Sequence, residues 1–153
     1  MHTFTRIAIG TALACCLAGV AEAQEATSAR LGSQLAYQFD VRDPGIAAQL
    51  DVPVARHFAL YPSGAVYLVD EGSLWGVNAD VKYRVSSPLY VGGGLNILHR
   101  SDQGADETDA GINFLGGIEG HLGRDVHPFA EGRVILNDGS AFQLGAGLSI
   151  SLR

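Results

Sequence analysis

Glu119, His121, His127, Glu131 and Arg133 could exchange protons or pair as ions, and their even spacing places them on one side of two successive strands. Asp80, Lys82 and Arg84 repeat that spacing on an earlier segment. If these strands belong to one closed sheet, all eight side chains point into a common interior. Such a cluster could be an acid/base site or an ion pathway. The simpler reading is a polar network that plugs the interior, because buried charges must be paired and hydrogen-bonded. His99 and Ser101 form a second candidate. A hydroxyl beside an imidazole can act as nucleophile and base, with a carboxylate such as Asp102 as the third group. Ordinary loop polarity explains this pair more simply. Asp102, Asp106, Glu107 and Asp109 form a third cluster, with oxygen ligands suited to a hard divalent cation. Their spacing is not that of an EF-hand, so the reading is a solvated acidic loop. No metal site, catalytic residue or cofactor is assigned.

The elements that would carry these residues are strands. Period-two alternation dominates after Gln24, broken by Gly, Pro, Asp, Asn and Ser. It predicts strands over Leu31–Val41, Ile46–Val54, Phe58–Val69, Leu74–Val85, Leu89–Leu98, Gly111–Leu122, Val126–Leu136 and Ala141–Leu152. Pro62 lacks a ladder donor, which predicts a bulge or a break in pairing. Arg100 to Ala110 is expected as the one long loop. A turn centred on Ser87 sets Lys82 opposite Gly92 and Asp80 opposite Gly94, where glycine leaves room for long polar side chains. Eight hairpin-linked strands predict an all-β fold: an antiparallel, up-and-down, eight-stranded transmembrane β-barrel, closed so that no edge is exposed.

Alternation alone does not say which face is outside. A soluble lipocalin-like periplasmic carrier of apolar ligands alternates equally well, with its apolar face inward. Three features favour the apolar face outward. The polar face is built from Gln, Asn, Ser and Gly, and the chain holds a single lysine, Lys82. With only 17% charged residues, it lacks the charged coat of a soluble barrel. The aromatics of the apolar face fall near strand ends: Phe39, Trp75, Phe114 and Phe142 toward one rim, Phe58 and Tyr83 toward the other. Two such girdles suit two membrane interfaces. Finally, with a periplasmic N-terminus the turns near Arg56, Ser87 and Arg124 are periplasmic and short, and the acidic loop is extracellular.

The N-terminus is consistent with export. Arg6 precedes the apolar stretch Ile7 to Val20, and Ala21-Glu22-Ala23 is a small-x-small cleavage site. Residues 1–23 are read as a secretory signal peptide and 24–153 as the barrel. Both cysteines, Cys15 and Cys16, fall in the leader; Leu13-Ala14-Cys15 leaves a lipoprotein alternative. A formal net charge of −6 argues against a nucleic-acid partner.

Gly92-Gly93-Gly94-Leu95-Asn96, Gly116-Gly117-Ile118-Glu119-Gly120, Pro128-Phe129-Ala130-Glu131-Gly132-Arg133 and Gly145-Ala146-Gly147-Leu148-Ser149-Ile150 resemble the small outer-membrane β-barrels, such as the OmpA transmembrane domain and OmpX. The resemblance covers the whole chain after the leader and is one of pattern. Gln143, Gly145, Leu148 and Ile150 also resemble the last-strand signal read by the barrel-assembly machinery, although Arg153 stands where the terminal aromatic is usual. The resemblance implies a monomeric bacterial outer-membrane protein, in contact with membrane lipid and lipopolysaccharide. Its expected role is non-enzymatic: envelope structure or surface interaction. An outer-membrane lipid-modifying enzyme is the other alternative.

Overall fold

The structure, a computed structural model, describes residues 28–102, 105–137 and 139–152. The expected signal peptide therefore lies outside the described residues. Eight strands follow one another: β1 Arg30–Gln38, β2 Asp43–Pro53, β3 Phe58–Tyr67, β4 Ser73–Arg84, β5 Leu89–Asp102, β6 Ala105–Glu119, β7 Val126–Leu136 and β8 Ser140–Ser151. Each pairs antiparallel with its neighbours in sequence, and β1 pairs with β8, closing the barrel. The fold is the expected up-and-down meander.

Alternation is carried through the wall. In β1, Arg30, Gly32, Gln34, Ala36 and Gln38 are buried, while Leu31, Ser33, Leu35 and Tyr37 are exposed. Elsewhere Ile46, Val66, Leu95, Ile118 and Leu148 stand outside, each more than half exposed. The interior holds Gln49, Asp51, Asp80, Lys82, Asn113, Glu131 and Arg133, each at most 4% exposed. The apolar face is outward and the polar face inward, the reverse of the arrangement a lipocalin-like carrier needs.

Pro62 does interrupt a ladder. Pairing of β2 with β3 lapses between Gln49↔Ser63 and Val52↔Leu60 and resumes in the same register, so the defect is a break and not a bulge. The expected glycine pairings are present: Lys82↔Gly92 and Asp80↔Gly94. A Cβ on Gly94 would come within 2.1 Å of the Ala79 carbonyl oxygen and 2.7 Å of Asp80 Oδ1. Only glycine gives the Asp80 carboxylate that space.

The largest departure from expectation is at Arg100 to Ala110. Extended pairing runs through it, from Leu98↔Asp109 to Asp102↔Ala105. Asp102 ends β5, and Asp106, Glu107 and Asp109 lie within β6. Cross-strand pairs account for it: Arg100 faces Glu107, and His99 faces Thr108 with Nδ1 and Oγ1 2.8 Å apart. The hairpin therefore continues beyond the point where β6 leaves β7 at Ile112↔Leu136.

Candidate functional site: the ion-paired lumen

The lumen is crossed by ion pairs between strands that are not neighbours. Lys82 on β4 donates to Asp51 Oδ2 of β2 at 2.9 Å and to Glu119 Oε2 of β6 at 3.2 Å. Its Nζ also lies 3.9 Å from the centre of the Tyr90 ring and 4.8 Å from that of Tyr61. Two carboxylates and two aromatic faces thus compensate the ammonium for lost water. Arg30 on β1 bonds the other oxygen of Glu119. Arg84 Nη2 reaches both oxygens of Asp51, at 2.8 and 2.9 Å. Deeper in, Arg133 on β7 pairs with Asp80 at 2.9 Å and Glu131 at 3.1 Å, and the Tyr90 hydroxyl donates to Glu131 at 3.1 Å.

Four cations (Arg30, Lys82, Arg84, Arg133) meet four carboxylates (Asp51, Asp80, Glu119, Glu131), so the network is neutral. Above it, Asn78 links Ser63, Asn96 and Asn113 in a neutral girdle over β3 to β6. At the loop end Tyr67 donates to Gln143 at 2.8 Å across the barrel. There Ala47, Ala65, Tyr67 and Leu74 form an apolar cluster, with Val41, Val69 and Leu98 packed on it. An eight-stranded barrel is just wide enough for such side chains to fill.

Of the eight lumen residues expected from sequence, Asp80, Lys82, Arg84, Glu119, Glu131 and Arg133 join the network. His127 is buried beside it, with Nε2 3.2 Å from Ser151 Oγ. His121 does not join: it follows the end of β6, is exposed, and sets its ring 4.9 Å from that of His127 at the barrel mouth. Sequence reasoning missed Arg30 and Asp51 as members. Asp51 sits in phase with Gln49 on the polar face of β2, a signal that was present. Arg30 stands one residue before the expected start of β1.

The girdle aromatics are all exposed. Phe39 packs near Phe142 with ring centres 5.5 Å apart, Phe58 near Tyr83 at 5.0 Å, and Trp75 against His99 at 5.0 Å. Phe114 departs from the expected rim position. Because β6 begins at Ala105, Phe114 is well inside the strand, opposite Gly93 and Val134. His99 is held by Thr108 and Trp75, with its Nδ1 2.8 Å from Thr108 Oγ1.

No family model matches the chain, and no curated protein matches it in sequence. Solved structures do match. The N-terminal β-barrel domain of Pseudomonas aeruginosa OprF superposes with a TM-score of 0.71 at 14% identity, over 82% of this chain and 98% of that one. Neisserial surface protein A gives 0.55 at 17% identity, over 81% and 96%. The attachment invasion locus protein Ail of Yersinia pestis gives 0.54 at 13%, over 82% and 97%. At these identities the likeness is one of fold. With its closed eight-strand meander, outward apolar wall and filled polar interior, this chain has the fold of the small outer-membrane β-barrels.

Proposed function

We propose that the chain is exported by residues 1–23 and resides in the bacterial outer membrane as a monomeric, non-enzymatic barrel that serves envelope structure or surface interaction. The observation that carries this reading is the inverted polarity of the barrel: large apolar side chains outward all round, and a neutral set of ion pairs within. An exposed apolar belt of this extent suits hydrocarbon and not water. A filled lumen disfavours a wide diffusion channel, and the engagement of His99 Nδ1 by Thr108 disfavours its use as a base for Ser101. The β5–β6 hairpin then presents Asp102, Asp106 and Glu107 to the medium, near lipopolysaccharide. The barrel-assembly machinery is the expected folding partner, reading β8.

An outer-membrane fraction run on an SDS gel, with and without boiling, tests the reading. A band in the membrane pellet that migrates differently until heated is the expected result. Protein that stays soluble without detergent and shows no heat shift would overturn it. Loss of lipid processing on Ser101→Ala would replace the non-enzymatic role with the enzymatic one.

A further inference from the structure

Where β1 begins and β4 and β6 end, the lumen opens into a half-enclosed cavity of about 260 Å³. Arg30, Lys82 and Arg84 line its wall, and Arg56, His57 and His121 line its rim. Glu119 is the one carboxylate among the described lining residues. Asp51 and Glu119 are the acceptors that the ion network supplies to this wall, and they serve three cations between them. The count of donors exceeds them. Arg30 is only 6% exposed, yet its Nε has no hydrogen-bond partner, and the buried Nε of Arg84 has none either. Arg56, one turn away, adds a cation outside the network. In a chain of net charge −6, this concentration of positive charge is local and enclosed.

We propose that this mouth is a binding site for a phosphate oxyanion. The ligand's oxygens add acceptors to a wall where three cations share two carboxylates, and guanidinium–phosphate pairing is strong because both partners are charged and the donors are planar. The cavity volume admits a phosphate group. Two sources share this chemistry: free phosphate, and the headgroup of an anionic phospholipid. Exposed Val85 and Leu89 flank the opening, and the Phe58–Tyr83 pair stands on the same rim, so a lipid could lay its acyl chains on the wall while its phosphate enters the mouth. The anion site stands on the geometry of the mouth and is independent of where the barrel resides. Only the lipid source rests on the outer-membrane reading.

The test is a titration of the folded chain in phosphate-free lauryldimethylamine oxide micelles, read by the ¹⁵N signals of the arginine Nε–H groups. One arm adds inorganic phosphate, the other dihexanoylphosphatidylglycerol. The expected result is a saturable shift of the Arg30 and Arg84 signals, weakened about tenfold in Arg56→Ala/His57→Ala, the loss of one charge-assisted contact or more. Those two residues lie on a turn outside the ion network, and an unchanged dispersion of the backbone amide signals verifies that the variant folds. Saturation by phosphate alone, lipid alone or both supports the site and identifies its source. Shifts that fail to saturate, or an affinity unchanged in the variant, would overturn it, whether or not the protein partitions to the membrane fraction.

Discussion

The two ends of the lumen solve one packing problem by different means. At the end bearing the chain's first and last described residues, charged groups fill the barrel and pair across it, with Lys82 shared between Asp51 and Glu119. At the loop end, Ala47, Ala65, Tyr67 and Leu74 fill it with little more than shape. An ion-paired filling is a set of large opposed terms: each desolvated charge is tolerable only while its partner is present. An apolar filling is a sum of small contacts, and losing one is local. The charged end must therefore be complete to be stable, whereas the apolar end can erode by degrees.

That contrast is sharpest at Arg133, where the charged filling meets the loop end in register with Gln143. Replacing it with Leu strands Asp80 and Glu131 without a cation, and the expected loss is about 3–5 kcal/mol. Urea unfolding in detergent, followed by the fluorescence of Trp75, measures it. The triple variant Asp80→Asn, Glu131→Gln, Arg133→Met removes the charges together and should regain more than half of that loss. Equal losses in the single and triple variants would mean that packing, and not charge balance, governs the charged filling.

At the apolar end Leu74→Ala leaves a cavity at a side chain only 1% exposed, and the same unfolding curve should report about 3 kcal/mol. A cost near zero there would show that the cluster collapses around the gap. Back at the charged end, Gly117→Val drives a Cβ toward the Tyr90 ring, which lies 2.5 Å from that position. Overpacking of this kind costs about 1–3 kcal/mol, and because Tyr90 also holds Glu131, the loss should shrink in a Tyr90→Phe background if the hydroxyl contact is part of it. Smallest of all, Glu107→Ala on the exposed hairpin should move stability by no more than about 0.5 kcal/mol. A larger effect would mean that its pairing with Arg100 holds the hairpin, making the extension part of the cooperative fold.

Much of the fold was legible because a strand wall repeats locally. Trp75, Val77, Ala79 and Val81 alternate with Gly76, Asn78, Asp80 and Lys82, and that alternation survives folding unchanged. Six of the eight expected lumen residues entered the network for the same reason. The failures share a cause as well. His121 has the parity of an inward residue, but parity carries no meaning beyond the end of a strand. Phe114 was placed at a rim by a strand start that proved six residues too late, because Arg100, Glu107, His99 and Thr108 pair as a ladder while carrying the composition of a loop.

By itself, then, the sequence determined strand number, the alternation of the wall, and which residues share a face, all properties of neighbouring positions. Only the tertiary structure decided which charges meet. Lys82 with Asp51 and Glu119, Arg30 with Glu119, and Arg133 with Asp80 are pairs between strands that do not touch in the sheet. Their heights in the barrel depend on the stagger of every ladder and on the closing register of Arg30 against Ser151. Stagger accumulates around the whole circumference, so no local pattern encodes it; the ion pairs form only when the last strand meets the first.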